Sequence, residues 1–227
     1  MVSVCLSARR RPPPRPDRSG PVCPRPAAAF PLPASAGPGP FPRGGSGMAA
    51  GRSPPTFLLL GAAGGGKSLL VRRLRQLSAE EPAELGEPPA TLPTVGTNLT
   101  DLRLPQKVTV RELGGCMGPI WPSYYSECSA LLFVVDASNP TQVSSSCIQL
   151  LSVLSAEPLA SVPVLVLFNK IDLPCYMSLV EMKSLFRMQD VVSCATQPIT
   201  MLETSARNGT GLADVLQWLR TALKDPC

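Results

Sequence analysis

The chain has 227 residues, 21 basic and 16 acidic side chains, a formal net charge of +5 and no histidine. The lack of histidine excludes histidine-based acid–base catalysis and most zinc-site patterns. The length suits one ordinary domain with an additional tail, and no apolar run approaches the roughly 18 residues that a membrane helix needs.

The first 55 residues differ in composition from the rest. They contain 14 of the 27 prolines, eight arginines and one aspartate, a net charge of +7 that leaves −2 for residues 56–227. Because this composition cannot bury a core, we expect a disordered Pro/Arg-rich tail at 1–55 and one domain at 56–227. A domain of this charge is not a basic nucleic-acid binder. Residues 10–18 fit two proline patterns that SH3 domains bind, although such matches arise easily in a proline-rich segment and solvated disorder explains them better.

The first motif of the domain fits the phosphate-binding pattern G-x-x-x-x-G-K-[ST]. An apolar run at 56–60 predicts a strand before it, and the pattern at 69–77 predicts a helix after it, which is the context that this motif needs. Backbone N–H groups of the loop would surround nucleotide phosphates at the positive end of the helix. Lys67 would reach the β- and γ-phosphates, and the Ser68 hydroxyl would ligate Mg²⁺. The loop residues are Gly61, Ala62, Ala63, Gly64, Gly65 and Gly66.

The later elements alternate between strands and helices. Pro105 and Gln106 separate two strands of a hairpin, and the later strands are unbroken apolar runs typical of burial on both faces. We therefore expect an α/β fold with a mostly parallel sheet between helices, and ligands at the carboxyl ends of its strands. The predicted strands are 98–104, 107–113, 130–136, 162–168 and 200–203, and the helices are 141–154, 178–186 and 212–223.

A second motif, Asn169 to Asp172, follows the strand at 162–168 and indicates which base is bound. Guanine presents two adjacent donors that the Asp172 carboxylate could accept, whereas adenine would leave that carboxylate unpaired. Asn169 could brace the surrounding loops, and the Lys170 stem could cover the base. Ser205 and Ala206 follow the last strand and fit a further base-contact segment, in which the Ala206 N–H would meet guanine O6.

Five motifs in order make residues 56–223 resemble a small GTPase of the ADP-ribosylation factor family in the Ras superfamily. Besides the two motifs above and Ser205-Ala206, residues 93–98 resemble its P-T-x-G-x-N switch I. The fifth motif is switch II, in which residues 112–115 resemble D-V-G-G at its start and 119–125 match P-L-W-x-x-Y-Y. The resemblance implies a P-loop small-GTPase fold with a six-stranded sheet, and GTP/GDP and Mg²⁺ as cofactors.

The same resemblance implies a switch. Thr94 would ligate Mg²⁺ and sense the γ-phosphate, and Glu112 would contact Mg²⁺ through water. Gly115 would offer its N–H to the γ-phosphate, with Leu113 and Gly114 beside it in the site. Loss of that phosphate would release both loops. Effector, exchange and activating proteins are the partners that the family implies.

The switch motifs depart from the family at two positions. Glu112 stands where the family has aspartate, which places the carboxylate one methylene further out. Cys116 stands where the family has its catalytic glutamine, and only eight residues separate Gly115 from Tyr124, two fewer than in the family pattern. A thiol cannot bridge water and phosphate as an amide does. We therefore expect slow intrinsic hydrolysis and assign no certain catalytic residue.

The sequence also departs from the family in the residues used for membrane attachment. Val2, or Ala49 in a chain that starts at Met48, cannot accept the myristoyl group that the family carries on a glycine. We therefore expect no stable membrane anchor, a cytoplasmic protein and reduced cysteines. Thr97 and Arg111 replace two aromatic residues that face effectors in the family, so the partners of other members are not expected to carry over.

Three functions remain open from the sequence. The first is a GTP-binding switch that engages effectors when it is loaded with GTP. The second is a pseudo-GTPase scaffold with a structural nucleotide, which the altered Glu112 and Cys116 favour. The third is a P-loop kinase or ATPase, against which the Asn169–Asp172 motif argues.

Overall fold

The computed structural model describes residues 54–79 and 86–224. Its strands are β1 (Thr56–Gly61), β2 (Thr97–Arg103), β3 (Lys107–Leu113), β4 (Ala130–Asp136), β5 (Val164–Asn169) and β6 (Ile199–Thr204). They form a six-stranded sheet in the order β2-β3-β1-β4-β5-β6. Strands β2 and β3 are antiparallel, and the other four pairs are parallel. The mostly parallel six-stranded α/β fold expected from the sequence is confirmed.

Helices cover both faces of the sheet. They are α1 (Lys67–Leu77), α2 (Pro140–Leu154), α3 (Leu179–Leu185), α4 (Met188–Cys194) and α5 (Leu212–Ala222), with 3₁₀ turns at Gly115–Glu127 and Glu157–Leu159. Helices α1 and α5 contribute to one apolar cluster, and α2, α3 and α4 contribute to a second. The two clusters lie on opposite faces of the sheet.

The central strands are apolar because they are covered on both sides. Every residue of β4 and β5 is buried. In β1, successive side chains point to opposite faces. Phe57 and Leu59 therefore join the cluster of α1 and α5, whereas Leu58 and Leu60 join the other. This burial holds the strands rigidly, so the loops at their ends start from fixed positions.

The segment Gly115–Glu127 was not predicted as an element. Pro119 and Pro122 remove backbone donors, so the segment winds as 3₁₀ turns with an interruption at Met117 rather than as an α-helix. Buried Trp121 and Tyr125 fix it against the core. The segment that follows β3 is thus held at its far end, while its start faces the phosphate loop.

Several element bounds differ from the sequence prediction by one or two residues, and two differences have a cause in the backbone. Strand β5 starts at Val164 rather than at residue 162, because Pro163 has no N–H to give to the sheet. A helix at Met188–Cys194 was missed; it is separated from α3 by Arg187, whose φ of 48° breaks the helix. Neither difference touches the sheet edge where the motifs lie.

Some predictions fall outside the described residues. These are almost the whole tail at 1–55, the proline patterns at 10–18, and the positions of Val2 and Ala49. Within the described part of the chain, no helix combines the length and the apolar character needed to cross a membrane.

Candidate functional site

The phosphate loop lies between the end of β1 and the start of α1, as its sequence context predicted. Gly66 precedes the helix with φ of 90°, and a Cβ there would lie 2.5 Å from Asn169 Nδ2. Glycine is therefore required both for the backbone angle and for close approach of the next loop. Among the described residues, no side chain caps the first turn of α1. Free N–H groups at a helix N-terminus form a ready anion site.

Lys67 is 5% exposed and is directed back over the loop. Its ammonium donates hydrogen bonds of 2.8 Å to the carbonyls of Gly61 and Ala62. Burial lowers the pKa of Lys67, and the nearby Glu112 and Cys116 oppose that shift. The arrangement presents a partly desolvated cation to the cavity in front of the loop, where an anion gains most from it.

Three oxygens from three separate segments meet beside Lys67. Ser68 Oγ donates to Glu112 Oε1 at 2.5 Å, Thr94 Oγ1 donates to the same oxygen at 3.0 Å, and the two hydroxyls lie 2.9 Å apart. Glu112 is 1% exposed, and its other oxygen, Oε2, is buried without a hydrogen-bond partner among the described residues. The predicted metal residues are thus brought together around Glu112 Oε1, while the other oxygen of the same carboxylate, Oε2, has no partner there.

The start of the predicted switch II segment packs directly on the phosphate loop. A Cβ on Gly115 would lie 2.1 Å from the backbone nitrogen of Ala63, so only glycine allows this contact. Gly114 N–H donates to the Gly96 carbonyl at 3.0 Å, which ties the segment to the residues after Thr94. The two predicted switch segments are therefore linked to each other and to the loop.

A cavity of about 270 Å³ lies among these segments. It is bounded by the phosphate loop, the 91–95 segment, Glu112 and Gly115. Cys116 is exposed and lines the same cavity. The predicted residues that line it are Ala63, Gly64, Gly66, Lys67, Ser68, Thr94, Glu112 and Gly115.

A second cavity of about 330 Å³ adjoins the first, since Gly66 and Thr91 line both. Its walls include four residues predicted for the base: Asn169, Lys170, Asp172 and Ala206. One cavity is thus lined by the anion-binding loop and the other by the base motif, which is the arrangement that a nucleotide requires.

Asn169 connects three loops of the site, as its predicted bracing role requires. Its buried side chain donates to the Gly65 carbonyl at 2.8 Å and accepts from the Ala206 N–H at 3.0 Å and from Thr204 Oγ1 at 3.3 Å. The Ala206 N–H, which the sequence assigned to guanine O6, thus has Asn169 as its acceptor here. A buried amide with these partners fixes the distance between the phosphate loop and the base loops.

Asp172 and Lys170 are also held by neighbours. Ser205 Oγ donates to Asp172 Oδ1 at 2.6 Å, and Lys170 pairs with Asp136 at 2.6 Å. Lys170 has φ of 72°, a conformation that costs a non-glycine residue about 1–3 kcal/mol. The ion pair with Asp136 holds the Lys170 stem along the wall of the second cavity.

The other predicted site residues do not line either cavity. Gly61 and Ala62 bind Lys67, Gly65 binds Asn169, and Ser205 binds Asp172. Leu113 is fully buried in the core, and the Gly114 carbonyl accepts from Trp121 Nε1 at 3.2 Å. These residues shape the site.

Arg73 is a site residue that the sequence reasoning missed. It is 1% exposed in α1, and its Nη2 donates to the Gly86 carbonyl at 2.6 Å and to the Arg207 carbonyl at 3.2 Å. It therefore joins the segment before Thr94 to the loop after Ala206. The sequence offers one indication of this burial: the spacing of Arg73 from Leu70 and Leu74 places it on the buried face of α1.

Gln142 was missed as well. It lies in the first turn of α2 and donates from Nε2 to the Ala63 carbonyl at 3.2 Å, while its Oε1 is buried without a hydrogen-bond partner in the described part of the chain. Its amide thus contacts the phosphate loop near Cys116, although it does not line the phosphate cavity.

Comparisons with known proteins agree with this site. Residues 51–223 match the ADP-ribosylation factor family. The chain is 65% identical to human ADP-ribosylation factor-like protein 16 over 164 residues, which cover 72% of this chain and 83% of that protein. It is 31% identical to Drosophila melanogaster ADP-ribosylation factor-like protein 1 over 171 residues, 74% of this chain and 88% of that one.

A solved structure shares the fold. The Arl6 BBS3 small GTPase from Trypanosoma brucei, with the bound nucleotide analogue GppNp, aligns with a TM-score of 0.64 at 22% identity. The alignment covers 74% of this chain and 97% of that one. The family match, the human relative and this fold together confirm the resemblance seen in the motifs. The chain belongs to the ADP-ribosylation factor family of small GTPases.

Proposed function

We propose that this protein is a guanine-nucleotide switch that binds GTP or GDP with Mg²⁺ and engages effector proteins in its GTP-bound form. The observation that carries the proposal is the pair of adjoining cavities, with the phosphate loop and Lys67 at one and Asp172 at the other. Asn169 fixes the separation between them through Gly65 and the Ala206 N–H. A guanine nucleotide supplies both the phosphates and the base donors that these two ends are built to receive.

The phosphate end acts through backbone donors and one cation. The N–H groups of the loop and of the first turn of α1 point at the bound phosphates. Lys67 neutralises part of their charge from a position where water is largely excluded. At the base end, the Asp172 carboxylate accepts the two guanine donors while Ser205 keeps it oriented.

The residues beside Lys67 fit Mg²⁺. Mg²⁺ prefers hard oxygen ligands, and Ser68, Thr94 and Glu112 present two hydroxyls and a carboxylate within 3.0 Å of one another. The buried Glu112 Oε2, which has no partner among the described residues, is an acceptor that a cation at this place would satisfy. When bound, Mg²⁺ neutralises phosphate charge, and Thr94 couples the switch I segment to the metal.

The switch would act through Thr94 and Gly115. Both line the phosphate cavity, and the Gly114 N–H joins their segments through Gly96. In the GTP-bound form, Thr94 binds the metal and the Gly115 N–H binds the γ-phosphate. After loss of that phosphate these contacts disappear, and both segments are free to change their exposed surface.

We infer that hydrolysis without a partner is slow. Cys116 occupies the wall of the phosphate cavity where the family has glutamine, and a thiol is a poor donor and acceptor for the attacking water. The amide of Gln142 is engaged with Ala63 outside that cavity. The protein would then hold GTP until an activating protein or exchange ends the state.

The partners would be effector, exchange and activating proteins, met in the cytoplasm. Leu92, Val95 and Leu99 are large, exposed apolar side chains in and beside the switch I segment, a composition suited to protein contacts. Arg111 lies 5.3 Å above the Tyr124 ring and pairs with Glu127, so this surface is more polar than an aromatic one. A different set of effectors from that of other members would follow. We also propose a Pro/Arg-rich tail at 1–55 and one GTPase domain at 56–227.

A second candidate is a scaffold with a permanently bound nucleotide. The Ser68–Thr94–Glu112 cluster favours it, because its hydrogen bonds hold the switch I segment against the start of α1. A site that is closed in every state would not switch. A P-loop kinase or ATPase is disfavoured by Asp172, because adenine has an unprotonated N1 and no 2-amino group and so offers no donor at the edge that this carboxylate would face.

Hydrogen exchange of the full chain loaded with GDP or with GppNp tests the proposal. A switch predicts that amides of the 91–97 and 114–118 segments become more protected with GppNp than with GDP. A scaffold predicts equal protection and no exchange of the nucleotide. Competition of GTP against ATP for the same protein separates both from the kinase or ATPase.

A further inference from the structure

We propose that Glu112 binds the divalent cation directly rather than through a water molecule. The family pattern has aspartate here, with its metal contact made through water; this chain would instead hold the metal by three protein oxygens. The inference rests on the proposed function, because it concerns the cation that accompanies the nucleotide.

The distances among the three oxygens support direct binding. Octahedral Mg²⁺ with bonds of about 2.0–2.1 Å places adjacent ligand oxygens about 2.9 Å apart. Thr94 Oγ1 lies 2.9 Å from Ser68 Oγ and 3.0 Å from Glu112 Oε1. The third pair, Ser68 Oγ and Glu112 Oε1, is closer at 2.5 Å, and it would open by about 0.4 Å, which a side-chain rotation accommodates. The three oxygens thus already approximate one face of the octahedron.

The backbone explains why glutamate reaches this position. Glu112 lies in β3, paired with Leu59 on one side and Asn98 on the other, so its Cα cannot retreat from the site. Its side chain is longer than that of aspartate by one carbon–carbon bond of about 1.5 Å. From the same Cα, an aspartate would end short of the two hydroxyls and leave a gap for a water.

The environment of the carboxylate also favours a cation. Glu112 is 1% exposed, and Oε2 has no hydrogen-bond partner among residues 54–79 and 86–224. The nearby Lys67 ammonium donates to the carbonyls of Gly61 and Ala62. A buried carboxylate that is only half satisfied is costly, and a divalent cation in contact with it supplies the missing charge.

Counting water ligands on bound Mn²⁺ tests the inference. The full chain is loaded with Mn²⁺ and GDP, and then with Mn²⁺ and GppNp, and its EPR line broadening is measured in ¹⁷O-labelled water. Glu112→Asp is the variant, and Glu157→Asp, an exposed glutamate away from both cavities, is the matched control. We expect one more water ligand in Glu112→Asp than in wild type or the control, and about tenfold weaker Mn²⁺ affinity.

A second measurement needs no variant. Wild-type protein carrying glutamate ¹³C-labelled at its side-chain carboxyl is examined by electron–nuclear double resonance with Mn²⁺ bound. Direct binding predicts a strong manganese–carbon coupling, whereas a water between them predicts a coupling several times weaker. Suppose that Mn²⁺ and GDP bind, but that Glu112→Asp and wild type have equal numbers of water ligands or that the manganese–carbon coupling is weak. Glu112 then binds the cation through water, and this inference fails while the proposed function stands. If no guanine nucleotide binds, the proposed function fails with it.

Discussion

The proposed nucleotide site has two sides, which differ in how well they match the family's motifs. The side proposed to hold the nucleotide is formed by the phosphate loop and the 169–172 and 205–206 segments. It keeps the family's motif residues, with Lys67 on the loop, Asn169 between three loops and Asp172 on Ser205. The side proposed to sense the γ-phosphate carries the departures, Glu112 and Cys116, in the same cavity as Thr94.

This difference separates the binding of a nucleotide from its hydrolysis. Binding of the phosphates and the base depends on buried residues at rigid strand ends, and Asn169 is 1% exposed. Hydrolysis in the family depends on a glutamine amide, and Cys116 stands at the position proposed for it. The comparison predicts large effects on affinity from the first side and small effects on turnover from Cys116.

The largest effect is expected at Lys67. Lys67→Ala removes the cation of the phosphate end and should weaken GDP binding by about 2–5 kcal/mol, which is roughly 30-fold to several thousandfold. Isothermal titration of nucleotide-free protein measures it. Lys107→Ala, at an exposed lysine paired with Asp101, is the control and should bind normally. Equal affinities of the two variants would contradict the placement of the phosphates.

Arg73 is expected to affect both stability and nucleotide release, because it joins the segment before Thr94 to the loop after Ala206. Arg73→Ala removes hydrogen bonds to the Gly86 and Arg207 carbonyls and should lower the free energy of unfolding by about 2–3 kcal/mol. It should also speed GDP release. Denaturant titration and release of a fluorescent GDP analogue measure the two effects. Arg75→Ala, at an exposed position in the same helix, should change neither the free energy of unfolding nor the rate of GDP release. Similar changes in this control would show that the effect is not specific to Arg73.

Asp172 should set the base preference. Asp172→Asn keeps the side-chain size but replaces one acceptor oxygen with a donor, which should reduce the preference for GTP over ATP by about 1–3 kcal/mol, or roughly 5- to 150-fold. Competition binding with both nucleotides measures the ratio. Asp190→Asn, at an exposed aspartate paired with Arg187, serves as control. An unchanged ratio in Asp172→Asn would overturn the guanine assignment.

Cys116 should have the smallest effect. If the thiol does not position water, Cys116→Ala should change the intrinsic hydrolysis rate by less than about threefold, below about 1 kcal/mol. Single-turnover assays with pre-bound GTP measure it, with the exposed Cys175→Ala as control. A fall of tenfold or more would make Cys116 a catalytic participant and end the contrast between the two sides.

The sequence predicted what periodicity and local motifs can encode. The six strands, the loop from Gly61 to Ser68 and the bracing role of Asn169 follow from apolar runs and from short patterns at strand ends. The hydrogen bonds that Arg73 and Gln142 make to distant segments could not be predicted from local sequence patterns. Arg73 reaches the Arg207 carbonyl 134 positions away, and Gln142 reaches Ala63 79 positions away. The turns at 115–127 were missed because Pro119 and Pro122 interrupt any helical period.

The proposed switch binds a guanine nucleotide and keeps GTP bound. The most direct measurement identifies by mass spectrometry the nucleotide that co-purifies with the full chain, then loads the protein with GTP and follows bound GTP and GDP over time. We expect a guanine nucleotide, and a single-turnover rate constant below about 10⁻⁴ s⁻¹ without a partner. A co-purified adenine nucleotide, or conversion of bound GTP to GDP within minutes, would contradict the account.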